Sequence, residues 1–380
     1  MTAPILSVIV PVYNMEAGER LTWCMDSLTS QTYEAKHPGA MEIIAVDDAS
    51  TDGSLALLKD YESRFPGLVH VIASPDNRHQ GGAKNLGLAA ARGSWIGFID
   101  ADDWIVPEFY ERLLDEAERA GADMAGCDYS LVYSHTWEPG VRDPNNSPEQ
   151  AGVLDEDKYR LLLIDPGSLV VKIYRREIIF GGESPESGAA AATGTQASSP
   201  EDASRPASVP VFPEHIFYED NAVACSWMLR AKKFVYLPEA LYFYYQHEAS
   251  TVHTVRLSSL EDRLTAARLM LEAAEREGYF ERYRPEMEWL FTNLFYRNTL
   301  FSAMSVYREG RKADFDVYGF TAALAREMKR TFPEFLKNPY VLSRVDAEER
   351  GFMALQMRSQ ALFFIKYRLL WIYRRLRYRG

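Results

Sequence analysis

Cysteine is nearly absent: the 380 residues hold three, Cys24, Cys127 and Cys225, far apart in the chain. None forms a CxxC pair or a zinc-ligand spacing, which excludes a disulfide scaffold and points to a reducing, cytoplasmic setting. No apolar run reaches the roughly 18 residues of a spanning helix. The N-terminus has no basic segment leading into a long apolar core, so no secretory signal is expected. No Gly-x-Gly-x-x-Gly follows the first apolar run, and Pro11 stands where that turn would form, which argues against a dinucleotide oxidoreductase. An excess of positive charge is missing too. The net charge of −12 excludes a chain-wide nucleic-acid surface.

What is present is enough for a full core, with 47% apolar residues. The length suggests two domains, which we place at 1–255 and 256–380. Through the first 125 or so residues, strand and helix patterns alternate. Strands are expected over Ile5–Val10, Glu42–Val46, Leu68–Ala73 and Trp95–Ile99. Helices are expected from about Glu16 to Ser30, Ser54 to Arg64 and Gly81 to Ala91. Short apolar runs alternating with helices predict an α/β fold with a mostly parallel sheet and helices on both faces. Ligands of such sheets bind at the carboxyl ends of the strands. Asp47, Asp48, Asp100, Asp102 and Asp103 all fall at such ends.

Three carboxylates in Asp100-Ala101-Asp102-Asp103 repel one another unless something positive sits among them. A hard divalent cation, Mn or Mg, is the natural neutraliser, and it leaves positions open for substrate phosphates. Helix capping by Asp103 is the plain alternative. Further on, residues 181–210 are rich in Gly, Ala, Ser, Pro and Thr and read as a flexible surface insertion. From 257 the pattern turns helical. Ser258 and Glu261 suggest a capping box, and two apolar stripes, through Leu257, Leu260, Leu264, Ala267 and Leu271 and through Met287, Leu290, Phe291, Leu294 and Phe295, suggest a helical subdomain.

Six segments occur in order: Pro11-Val12-Tyr13-Asn14, Asp47 to Ser54, Asn77 to Gly87, Asp100 to Asp103, Tyr218-Glu219-Asp220-Asn221, and Tyr244 to Thr251. Together they resemble the family 2 inverting glycosyltransferases of the GT-A fold, over roughly residues 4–255. The resemblance implies a Rossmann-like sheet domain, a nucleotide-sugar donor, most simply UDP-linked, and a glycan or lipid-linked acceptor of the cell envelope. It implies a nucleoside pocket lined by Pro11, Tyr13 and Asn14, with Asp48 accepting from uracil and Asp47 assisting or capping. Asp100 would hold the ribose and Asp102 the metal. Asp103 would bind donor-sugar hydroxyls or hold a loop. Asp220 would be the general base and Glu219 a positioning residue. His247 would stand near the metal or diphosphate, and Ser250 and Thr251 near phosphate. Lys84 would touch base or phosphate, a solvated helix lysine being the equal alternative, and Lys172 would meet diphosphate or acceptor. His79 departs from the family's usual glycine and Lys84 from its usual arginine; lysine keeps the charge without the bidentate fork.

Two other functions compete: a phosphohydrolase built on the strand-end Asp-x-Asp, and a non-catalytic nucleotide-sugar-binding protein. The chain's end offers a further feature. No acidic residue follows Gln360, while Lys366, Arg368, Arg374, Arg375, Arg377 and Arg379 alternate with Phe363, Phe364, Trp371, Tyr373 and Tyr378. This fits either a peripheral contact with the inner face of the cell membrane or an ordinary last helix with a basic outer side.

Overall fold

The computed structural model describes residues 3–181, 211–246, 256–309 and 315–377. The expected insertion at 181–210 therefore lies, but for its first residue, outside the described residues. The chain divides into two compact units, Met1–Glu248 and Ala249–Gly380.

In the first unit ten strands form one sheet: β1 (Leu6–Val12), β2 (Met41–Asp47), β3 (Val69–Ala73), β4 (Trp95–Phe98), β5 (Trp104–Ile105), β6 (Met124–Val132), β7 (Val141–Asp143), β8 (Gly152–Val153), β9 (Lys172–Arg175) and β10 (Lys233–Tyr245). The order is β3-β2-β1-β4-β9-β6-β10-β5, with β7 on β6 and β8 on β10. The first four of that order run parallel. Strand β9 then lies antiparallel between β4 and β6, and β5 pairs antiparallel with β10. The helices of this unit are α1 (Arg20–Thr29), α2 (Thr32–Lys36), α3 (Ser54–Arg64), α4 (His79–Ala90), α5 (Phe109–Ala120), α6 (Glu156–Ile164), α7 (Arg176–Phe180) and α8 (Glu219–Arg230).

Strands β1 and β2 are buried along their whole length. That is what apolar runs covered on both faces require. Helix α4 lies close on this layer at Gly87, where a Cβ would stand 2.5 Å from Ile9 Cγ2. The first helix starts later than the apolar pattern suggests. Gly18 and Glu19 both take left-handed backbone, at φ 72° and 58°, so Ala17–Glu19 is only a 3-10 turn and α1 begins at Arg20.

The second unit is helical: α9 (Leu257–Arg276), α10 (Arg284–Phe291), α11 (Thr299–Glu309), α12 (Val317–Thr331), α13 (Pro339–Arg344), α14 (Ala347–Arg358) and α15 (Gln360–Arg377). A π-helical turn, Thr292–Asn298, joins α10 to α11 and stacks Phe291 on Phe295 at 4.3 Å. Leu260, Leu264, Ala267 and Leu271 of the first stripe and Met287, Phe291 and Phe295 of the second are buried, while Leu257, Leu290 and Leu294 are half-buried. The Ser258–Glu261 capping box is not formed. The N-cap is Arg256, without a side-chain cap bond, and Ser258 already lies inside α9. No helix among the described residues is long and apolar enough to cross a membrane.

Candidate active site

The strand register assembles the site. Val12 lies opposite Asp47, and Ile9 opposite Phe98, across two parallel pairs. Segments 11–14, 47–48 and 100–103 therefore leave neighbouring strands at the same sheet edge. Six non-glycine residues among those described have positive φ. Five of them, Asn14, Ala49, His79, His215 and Tyr218, occur just after β1 and β2 or at the entries to α4 and α8. Such backbone costs about 1–3 kcal/mol per residue and persists where the surroundings over-determine it. His79, at φ 60°, thus occupies a conformation in which glycine is at ease.

Pro11 is buried in β1, and Tyr13 beyond it is exposed. Asn14 ties the two strand exits together. Its Oδ1 accepts from the Thr51 amide at 2.8 Å, and its own amide donates to Ser50 Oγ at 3.0 Å. The two aspartates that end β2 divide their work. Asp48 is buried and its Oδ1 accepts from the Arg78 amide at 2.8 Å; burial pushes its carboxyl above the usual range. Asp47 accepts from the Ser50 amide at 3.2 Å through Oδ2, while its buried Oδ1 has no hydrogen-bond partner. A buried acceptor left unmade is costly and asks for a ligand or water.

Around Asp100 the residues are acidic. Burial pushes Asp100 up to about 7; Lys84 pulls against this while Asp102, Glu219 and Asp220 add to it. Asp102 is half-buried. Asp103 is fully buried and committed to the chain: its carboxylate accepts from the Tyr242 hydroxyl at 2.6 Å and the Tyr245 amide at 2.9 Å. Of its two expected roles, loop-holding is the one its contacts fill.

Lys84 points from α4 into this acidic group. It is not a solvated helix lysine: only 3% of it is exposed, and its Nζ lies 2.6 Å from Glu219 Oε1. Burial pulls the ammonium down, but Glu219, Asp100 and Asp220 more than offset this and keep it charged. The next residue of α8 is Asp220, whose Oδ1 accepts from the Asn221 amide and side chain, both at 2.9 Å. Burial, reinforced by Glu219, raises the Asp220 carboxyl, and Lys84 moderates the shift. A carboxylate so raised gains basicity.

Asn85 sets where the chain enters α8. Its Oδ1 accepts from the amides of Val211 and Phe212 at 3.0 and 2.9 Å, and its Nδ2 donates to the Phe212 carbonyl at 2.9 Å. Gly81 lets the following turn close in, for a Cβ there would stand 2.0 Å from the Pro213 carbonyl oxygen. Phe212 packs edge-on to Phe98 and Trp227 beneath. The motif resemblance gives Asn85 no role, and its partners, 126 and 127 residues further along the chain, leave no local signal for one.

Lys172 does not reach this group. It is fully buried and donates to the carbonyls of Pro166 and Ser168 at 3.0 and 2.8 Å, bracing that loop. Burial pulls its ammonium down to about 7. Its expected contact with diphosphate or acceptor is replaced by this bracing role. Tyr174 is buried against Trp227. His247, Ser250 and Thr251 lie outside the described residues. Among the described residues no three His, Cys, Asp or Glu side chains are grouped to hold a metal ion.

Residues 7–178 match the model of the family described as Glycosyl transferase family 2. Over this segment, a little under half of the chain, the sequence is similar to that family. The chain is 28% identical over 249 residues to an Escherichia coli protein named uncharacterized glycosyltransferase YibD, covering 64% of this chain and 62% of that one. It is 28% identical over 294 residues to the putative glycosyltransferase EpsH of Bacillus subtilis, covering 76% and 74%. A shorter stretch of 126 residues is 38% identical to uncharacterized glycosyltransferase EpsJ of the same organism, spanning 34% of its length. The match thus spans less than two thirds of YibD and about a third of EpsJ. Among solved structures, S. aureus TarS 1-349, crystallised with UDP-GlcNAc, aligns with a TM-score of 0.59 at 19% identity, over 98% of this chain and 91% of that one. The likeness establishes a GT-A-like sheet with a helical C-terminal region.

Proposed function

We propose that this protein transfers a sugar, with inversion, from a nucleotide diphosphate donor to an acceptor hydroxyl of a glycan or lipid-linked precursor. One observation carries the reading. A buried lysine, Lys84, is held among Glu219, Asp100 and Asp220 at the carboxyl edge of the sheet. A carboxyl raised by burial, as that of Asp220 is, supports the reading, because inverting transfer needs a general base. In the step proposed, the acceptor oxygen attacks the anomeric carbon while Asp220 takes its proton. The bond from that carbon to the diphosphate breaks, and the leaving oxygen keeps the electron pair.

The donor nucleoside would lie along Pro11, Tyr13 and Asn14, with Asp100 on the ribose. The motif resemblance implies uridine, and TarS, of like fold, was crystallised with UDP-GlcNAc. For the base we assign more to Asp47 than the motif implies. Its Oδ1 lacks a partner, whereas Asp48 Oδ1 already holds the Arg78 amide.

The oxygen donors fit Mn or Mg. The resemblance gives Asp102 and His247 as the metal's ligands, while Asp103 is committed to Tyr242 and Tyr245. A cation that keeps several positions for water and phosphate suits so few protein ligands. Bound there, it would offset charge on the leaving diphosphate.

A donor panel tests the reading. With Mn or Mg and a set of nucleotide sugars, the chain should release nucleoside diphosphate and invert the anomeric configuration, seen by NMR. Calorimetric binding without turnover across a wide acceptor set would instead favour the nucleotide-sugar-binding alternative.

A further inference from the structure

Helix α15 has two apolar faces. Phe363, Phe364 and Tyr367 are buried within the helical unit. These include aromatics that the sequence pattern offered to a membrane, and packing already accounts for them. The other face is Leu362, Ile365, Leu369, Ile372, Tyr373 and Leu376, each between 52% and 74% exposed. At 3.6 residues per turn these six share one stripe, on the side of the helix opposite Phe363, Phe364 and Tyr367. Lys366 and Arg377 flank it on one side, Arg368 and Arg375 on the other, and all four are exposed. Arg374, turned towards the packed side, pairs with Glu348 at 2.8 Å.

We propose that the exposed face of α15 is a membrane contact that lies on an anionic lipid surface. Six large apolar side chains in one row exceed the scattered exposure of an ordinary surface. Cations along both edges of an apolar stripe are what an interfacial helix uses, stems lying on the apolar layer and charges at the headgroups. The alternation of three- and four-residue steps would also suit a second copy of the helix. Charge decides against that occupant. Paired copies would bring these cations together, and α15 itself carries no acidic residue to offset them. Anionic lipid supplies the missing charge, and the chain's overall −12 makes the basic stripe a local feature rather than a general one.

Vesicle flotation of the full chain tests this. Wild type should float with phosphatidylcholine–phosphatidylglycerol vesicles and not with phosphatidylcholine alone, and added salt should weaken the binding. The triple variant Leu362→Ser/Leu369→Ser/Leu376→Ser and the pair Arg368→Gln/Arg375→Gln should each lower the bound fraction at least about tenfold. Circular dichroism and thermal midpoint should stay unchanged, because the altered side chains are exposed. Absence of flotation with the anionic vesicles, or unaltered flotation of both variants, overturns the proposal. So does a dimer in sedimentation that the triple variant dissolves while vesicles remain unbound, for the stripe would then join two copies. Flotation needs neither donor nor acceptor, so its failure leaves the sugar-transfer reading untouched.

Discussion

The Lys84 ammonium and the Glu219 carboxylate meet at 2.6 Å with both side chains almost completely buried. They are 135 residues apart and join the second half of the sheet domain to the first. Removing one partner leaves a buried charge unpaired. Lys84→Met should cost about 3–5 kcal/mol, read by urea unfolding. The double variant Lys84→Met/Glu219→Leu should recover much of that loss. If it loses as much as the two single variants added together, the pair is not coupled.

Asp220→Asn should lower kcat by about 10²–10⁴ with little change in donor KM, as expected for a lost general base. The pH profile carries a second check. The Asp220 carboxyl is raised by burial and by Glu219, so it stays protonated to a higher pH than an ordinary aspartate. Activity of wild type should therefore fall as pH drops through a midpoint above the usual carboxylate range. Replacing Glu219 by Gln should move that limb towards lower pH.

Asp102 and Asp103 should separate by readout. Asp103→Ala leaves the buried Tyr242 hydroxyl without its acceptor, which should cost about 1–3 kcal/mol of stability. Asp102→Asn should abolish transfer with a smaller change in thermal midpoint. Equal destabilisation by both would contradict the division of labour.

His79 tests backbone strain. His79→Val places a β-branched residue at φ 60° and should destabilise by about 1–3 kcal/mol. His79→Gly should cost less, because relief of the left-handed backbone offsets the lost edge contact with Phe217.

Lys172 gives a stability signature. Its folded-state pKa is depressed to about 7, below the ordinary value of about 10.4. Between these values the unfolded chain binds more protons, so this group makes stability rise with pH across that window. Lys172→Met should flatten the rise, seen as a smaller difference between urea midpoints at neutral and alkaline pH.

Much of the fold was legible because buried parallel strands write themselves as apolar runs. β1, β2 and β4, with Asp47, Asp48 and Asp100 to Asp103 at their ends, follow from local pattern alone. The insertion of β9 antiparallel between β4 and β6 does not, since short strands carry no signal for their partner. Lys84 shows the same limit. Its sequence neighbours suggest an exposed helix face, and only the fold brings Glu219 to it. Ser258 and Glu261 had the spacing of a cap, yet α9 extends one residue beyond Ser258 because Leu257 joins the helix. In α15, composition revealed both cations and aromatics, but which apolar face is spare depends on what the bundle covers.

The three hydrogen bonds from Asn85 to Val211 and Phe212 have a consequence for how such a chain can change. They fix the register at which the polypeptide approaches α8, independently of how many residues precede Val211. Lengthening or shortening the stretch between Gly181 and Val211 should then leave Asp220 where it stands. Chain length there becomes a parameter that can vary by insertion or deletion without displacing the start of α8.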